Sequence, residues 1–129
     1  MVRILLSIHN GLMAEAITGM LRECGEFEPF RVSVGNRKAD IAEECAMLEA
    51  QMVLMEVSYA GGTTLETRVK EARQIRGGSP DCKIIFLCDE NSAPNIAREV
   101  MLAKKDGLID GFFYSSVTAR YLMAALIAL

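Results

Sequence analysis

His9, Glu56 and Cys88 are the side chains whose types could do chemistry, and each closes a short apolar run. Val53-Leu54-Met55-Glu56-Val57-Ser58 reads as a buried strand ending in one carboxylate. His9 follows the run Val2 to Ser7 and stands beside Gly11. An imidazole there can carry a phosphoryl group or bind a ligand; the plainer role, an exposed or capping loop residue, is the one expected. Cys88 precedes Asp89 and Glu90, whose charges disfavour a thiolate, so it is expected as a buried structural thiol rather than a redox sensor. The four cysteines (Cys24, Cys45, Cys82, Cys88) are spread without a CxxC pair, and His9 is the lone histidine. No metal site is expected from that pattern. Isolated cysteines in apolar runs read as small buried hydrophobes of a reduced compartment.

The elements that must position these residues alternate along the whole chain. Val2 to Ser7 is strand-like, and Gly11 opens a helical stretch carrying Met13, Ile17, Met20 and Cys24 on one face, ended by Gly25. Phe30 to Val34 alternates with period two, as an edge strand does. Gly35 and Asn36 make a turn, and Asp40 caps a helix with Ile41, Cys45 and Leu48. Met52 to Val57 reads as a central strand and Tyr59 to Gly62 as a loop. Thr63 or Thr64 starts a helix with Leu65, Val69, Ala72 and Ile75, stopped by Gly77-Gly78-Ser79-Pro80. Lys83 to Leu87 is a fourth strand. Asn91 and Ser92 offer caps to a helix with Ile96, Val100 and Met101, ended by Gly107. Gly111 to Tyr114 is a fifth strand, and Ser116 or Thr118 starts a last helix.

This is a (βα)5 pattern, which implies an α/β fold with a doubly wound parallel five-stranded sheet covered by helices on both faces. In such folds the working site lies beyond the carboxyl ends of the strands. The residues placed there are His9, Asn10, Glu56, Ser58, Cys88, Asp89, Ser115 and Ser116.

Bulk properties narrow the function classes. A length of 129 residues suits one domain, 1–129, standing alone or as the amino-terminal part of a longer protein. The net charge is −3 and the basic residues form no long run, so duplex nucleic acid is not an expected direct partner. Tyr121 to Leu129 is wholly apolar but far short of the ~20 residues that span a bilayer. With no signal-peptide core visible, a cytoplasmic location and no membrane partner are expected.

Several strings resemble the response-regulator receiver domain, and the resemblance covers essentially the whole chain. Met55-Glu56-Val57-Ser58-Tyr59-Ala60-Gly61 is similar to the family's "LDVSMPG" strand and loop. Ser79 to Leu87 is similar to the approach to its fourth strand. Gly107-Leu108-Ile109-Asp110-Gly111-Phe112-Phe113-Tyr114-Ser115 resembles "GADGFLLK". The resemblance implies a flavodoxin-like sheet of order 2-1-3-4-5. It also implies five operating side chains: an acidic pair for Mg²⁺, a phosphoacceptor Asp, a hydroxyl and a Lys. By position these are Ile8 and His9, Glu56, Cys88 and Ser115, so all five depart from the pattern. Phe112 falls at the family's switch aromatic.

The departures have physical consequences. Mg²⁺ requires hard oxygen ligands, which Ile8 and His9 do not supply. Without metal and Lys, charge on a transferring phosphoryl group goes uncompensated. Glu56 is also one methylene longer than Asp. Loss of aspartyl phosphorylation, lost or weak Mg²⁺ binding and no other cofactor are therefore expected. Glu56 reads either as a permanent charge imitating the phosphorylated state or as a polar strand end facing solvent; the second is adopted, because imitation needs an answering cation and Ser115 is not one. Asp106, Asp110, Glu23, Glu26 and Glu28 are expected on the solvated surface.

The last helix is apolar all round and so must be covered on more than its sheet side. Leu122, Ala125 and Leu129 are expected on the sheet, with Tyr121, Met123 and Ile127 facing elsewhere. With Met101 and Tyr114 they would form the fourth helix–fifth strand–fifth helix face that receiver domains use for partners, a homodimer mate or an effector domain. The resulting expectation is a non-enzymatic pseudo-receiver of two-component-type phosphorelay signalling, acting by protein–protein contact without phosphorylation. One alternative is a histidine phosphocarrier: Ser7-Ile8-His9-Asn10-Gly11-Leu12-Met13-Ala14-Glu15 is similar to the "SHGxLAE" start of mannose-type phosphotransferase A domains, and Val57 to Thr63 faintly resembles their "VDTWGGS" loop, though Ser58 replaces its Asp. The other is a small-ligand site of cobalamin type, against which the His9–Gly11 spacing departs from DxHxxG. No Gly-rich phosphate loop is present either.

Overall fold

Hydrophobic strands buried on both faces dictate the architecture. The computed structural model describes residues 1–32, 40–58, 64–88 and 94–129, the side chains of 94–97 excepted. The elements are β1 (Val2–Ser7), α1 (Gly11–Cys24), β2 (Phe27–Arg31), α2 (Ile41–Leu48), β3 (Met52–Val57), α3 (Leu65–Gly78), β4 (Lys83–Cys88), α4 (Pro94–Lys105), β5 (Gly111–Tyr114) and α5 (Ala119–Ala128). The strands form one sheet in the order β2-β1-β3-β4-β5, all pairs parallel. The expected fold class and strand order are both observed.

Alternation along each strand splits the core in two. Leu5, Val53, Met55, Val57, Ile84, Phe86 and Cys88 point to the face covered by α2, α3 and α4. Ile4, Leu6, Leu54, Ile85 and Leu87 point to the face covered by α1 and α5. Full burial of each such side chain stabilises by roughly 1.5–3 kcal/mol before conformational entropy is charged against it. The same parity sets the site. Glu56 shares its face with Met52 and Leu54 and so aims toward α1, whereas Ser7 shares its face with Leu5 and aims toward α3.

Side-chain oxygens cap the helices where short polar residues precede apolar turns. Asn10, Asp40, Thr64 and Thr118 accept from the N–H groups of Met13, Ala42, Thr67 and Tyr121. Thr64 and Thr118 are thus the caps of α3 and α5. Gly25 (φ 76°) and Gly107 (φ 78°) end α1 and the segment after α4 in left-handed conformation, which glycine adopts without a Cβ penalty.

Three expectations are corrected. The second strand runs Phe27–Arg31, not Phe30 to Val34. Its pairing begins at Val2↔Phe27 and includes Pro29, tolerated because β2 is an edge strand; Glu26, Glu28 and Pro29 break the apolar alternation that would mark the true start. Asp110 is not free surface: its carboxylate accepts from Arg76 Nη2 at 2.6 Å and from the Ile84 N–H at 2.8 Å. On α5 the buried pair is Leu122 and Leu126, one turn apart, while Leu129 is 43% exposed and Met123 packs partly against the core. The turn at Gly35–Asn36, residues Ser33 and Val34, the Tyr59–Gly62 loop and the caps at Asn91 and Ser92 lie outside the described residues.

Candidate functional site

The carboxyl ends of β1 and β3 bring together Ser7, Ile8, His9 and Glu56, with Cys88 and Ser115 on the neighbouring strand ends. The Glu56 carboxylate turns back over the start of α1. Its Oε1 accepts from the His9 N–H at 2.8 Å and from the Asn10 N–H at 3.3 Å. Asn10 is the cap of α1 and His9 the residue before it, so the carboxylate sits against the amino end of the helix, where the helix dipole favours an anion. Glu56 is therefore neither an idle strand end nor a free charge: it is the anion bound at the α1 terminus.

The remaining sequence-selected positions are distributed as follows. Ile8 is 5% exposed and belongs to the apolar cluster under α1 and α5. His9 is exposed, as expected. Cys88 is 2% exposed, and burial pushes its thiol up to about 11. Ser115 is exposed, and its N–H donates to the Cys88 carbonyl at 2.8 Å, prolonging the β4–β5 ladder. Asp89 lies outside the described residues. Phe112 packs partly against the α2/α3/α4-side core, edge-on to Tyr114 at 6.2 Å, with Lys104 Nζ 5.9 Å above its ring. Among the described residues no group of three or more His, Cys, Asp or Glu is arranged to hold a metal ion.

A residue that the sequence reading passed over joins the site from α3. Arg68 is 3% exposed. Its Nε donates to the Glu56 carbonyl at 2.7 Å, Nη1 to Ser7 Oγ at 2.8 Å and to Glu71 Oε1 at 3.2 Å, and Nη2 to the Ser7 carbonyl at 2.9 Å. The planar fork thus straps β1 and β3 to α3, a geometry a lysine does not reproduce. Burial lowers the Arg68 pKa, opposed by Glu71 and Glu56. Burial likewise raises that of Glu71, against the pull of Arg68. The missing signal was available: Arg68 lies three residues after Leu65 and four before Ala72, on the inward row of the helix. Apolar periodicity alone does not register it.

The proposed partner face is divided. Met101, Tyr114 and Tyr121 are exposed, at 59%, 41% and 62%. Phe113 meets Tyr121 edge-on at 6.3 Å. Met123 is turned to the core, and Ile127 borders a cavity at the opposite, amino end of the sheet with Val2 and Leu126. Six positions separate Tyr121 from Ile127, which puts them on different sides of α5. No helix among the described residues is long and apolar enough to cross a membrane.

No family model matches the sequence, and no curated protein matches it. Solved structures do match its shape. A LuxR-family DNA-binding response regulator from Staphylococcus aureus superposes with a TM-score of 0.76 at 12% identity, over 99% of this chain and 98% of that one. A response regulator receiver protein from Burkholderia phymatum gives 0.73 at 16% identity, over 99% and 94%. An adenylate cyclase from Rhodopirellula baltica gives 0.73 at 16% identity, over 98% and 84%. At these identities the likeness speaks for architecture, and it agrees with the strand order: the chain has the fold of a response-regulator receiver domain.

Proposed function

We propose that this chain is a pseudo-receiver, a signalling module of the two-component type that works through protein contact and not through phosphoryl transfer. The observation that carries the reading is the engagement of Glu56. One oxygen of the carboxylate at the acceptor position, Oε1, is engaged by the His9 and Asn10 N–H groups at the start of α1. With that oxygen turned onto the backbone, the carboxylate is poorly placed to attack a phosphoryl donor. The donor set also does not suit Mg²⁺: a buried isoleucine, an imidazole and this one committed carboxylate replace an oxygen cage. The cation at the site, Arg68, comes from α3 and already donates four of its five N–H groups to Ser7, Glu56 and Glu71. On this reading the site is a fixed strap, the domain has no enzymatic role, and the exposed Met101, Tyr114 and Tyr121 supply the contact surface.

Intact mass after parallel incubation tests the reading. One arm holds acetyl phosphate with Mg²⁺, the other a phosphoenolpyruvate-driven phosphotransfer mix. The expected result is no added phosphoryl mass in either. An acyl phosphate on Glu56 would show that the divergent pocket still transfers, and an acid-labile phosphate on His9 would establish a histidine phosphocarrier instead.

A further inference from the structure

Between α3 and α4 the surface opens into a groove of about 960 Å³. Leu65 and Val69 of α3, Leu102 and Ala103 of α4, and Leu108 beyond α4 form its apolar floor. Leu65 and Ala103 are buried, but Leu102 is left half exposed. Leu102 lies about 100° around α4 from Met101, so the groove is a different surface from the face of Met101, Tyr114 and Tyr121. Its rims are charged and opposite in sign. Lys70 and Arg73 stand exposed on the α3 rim, Glu99 and Asp106 on the α4 rim. Glu66, at the start of α3, is the one acid on the α3 side. Arg76 also borders the groove, but its guanidinium is already bound to the Leu108 and Cys82 carbonyls and to Asp110. The ion pairs among the described residues are made by Arg3, Arg68 and Arg76; Lys70 and Arg73 make none with Glu99 or Asp106. Two rows of opposite charge thus face one another over an apolar floor without closing on each other.

We propose that the α3/α4 groove docks an amphipathic helix of a partner protein, with an apolar row flanked by acids on the side facing α3 and by bases on the side facing α4. Such a helix covers Val69 and Leu102 with its apolar row and answers both rims at once. Glu99 and Asp106 lie about 10 Å apart along α4, so a partner helix of about three turns reaches both. The chain's own described helices do not supply this pattern. α5 carries one charge, Arg120, and α2 carries no base. On α1, Glu15 and Arg22 fall on the same side of the exposed Leu12. α4 of a second copy has the right signs, with Arg98 and Lys105 on one side of Leu102 and Glu99 and Asp106 on the other. Its acidic side, however, already faces its own α3, which leaves no place there for another. The occupant is therefore a helix of a different protein. The groove uses neither Glu56 nor Tyr121, so it stands or falls separately from the pseudo-receiver reading.

The test is selection against the full folded chain from a displayed library of helical peptides. Each peptide is about four turns long, with leucine fixed along one helical row and both flanks drawn from Glu, Lys and Ser. The expected winners carry Glu along one flank and Lys along the other. They should bind K70E/R73E at least about tenfold more weakly, because like charges then meet across the interface. A winner with Lys in place of Glu on its acidic flank should regain most of that affinity on K70E/R73E. L102E should abolish binding and Y121A should leave it unchanged. All these substitutions fall at exposed positions, and an unchanged Tm shows that each variant is folded. No enriched peptide, enrichment without charge asymmetry, full binding to K70E/R73E, or binding that survives L102E and is lost in Y121A would overturn the proposal. So would self-association of the chain that L102E abolishes, which would give the groove to a second copy.

Discussion

At the scale of single residues, one methylene changes what the third-strand carboxylate does. Glu56 points to the α1 face by strand parity, and its extra length lets it reach the His9 and Asn10 N–H groups. Glu56→Ala leaves both donors to water and should lower stability by about 1 kcal/mol, the usual worth of a helix-terminal acceptor. Glu56→Gln retains an acceptor oxygen and should lose less than half of that, measured by urea unfolding. Cys88 makes a pH prediction. Its folded pKa of about 11 lies above the ordinary 9.0, so between those values the unfolded thiol ionises while the folded one keeps its proton. The unfolded state gains, and stability falls as pH rises through that window, by about 2 kcal/mol in all. Unfolding free energies of wild type and Cys88→Ala across the window should show this extra slope only in the wild type.

At the scale of elements, Arg68 joins three of them. Replacing it with Met removes donors from two backbone carbonyls, Ser7 Oγ and Glu71, all at the junction of β1, β3 and α3. Loss of about 3 kcal/mol or more is expected, since breaking a buried pair leaves its partners uncompensated. Arg68→Lys should recover only part of it, because an ammonium does not supply the fork; thermal or urea unfolding separates the three proteins. The strap also shows what was legible in the sequence. The (βα)5 order and the strand ends carrying Glu56, Cys88 and Ser115 were readable because apolar runs and cap residues are local signals, whereas the sheet order was available only through the receiver resemblance. β2 was misplaced because Pro29 and two glutamates hide an edge strand that needs little apolar surface. Arg68 and Asp110 were missed because their partners lie on other elements, and charge at an inward position reads as surface until the partner is seen.

At the scale of the whole molecule, the fixed site and the exposed face stand in different relations to stability. Met101, Tyr114 and Tyr121 expose large side chains around α4, β5 and α5. Tyr121 is held edge-on by Phe113 at 6.3 Å, so docking it against a partner freezes little further side-chain entropy. β5 is a short edge of four residues, which limits strand addition and leaves the side chains to make the contact. On the proposed reading, self-association through this face is expected, and it should not respond to acetyl phosphate or Mg²⁺, because that reading gives the Glu56 and Arg68 contacts no phosphorylation-dependent alternative. Sedimentation velocity over a concentration series measures it. Tyr121→Ala should weaken association at least tenfold, as loss of a central aromatic anchor does. Its cost to monomer stability should stay at or below about 1 kcal/mol, the worth of one exposed aromatic pair. A wild-type chain that stays monomeric at every concentration would remove this face from the homodimer reading. Association that strengthens with acetyl phosphate would contradict the fixed site itself.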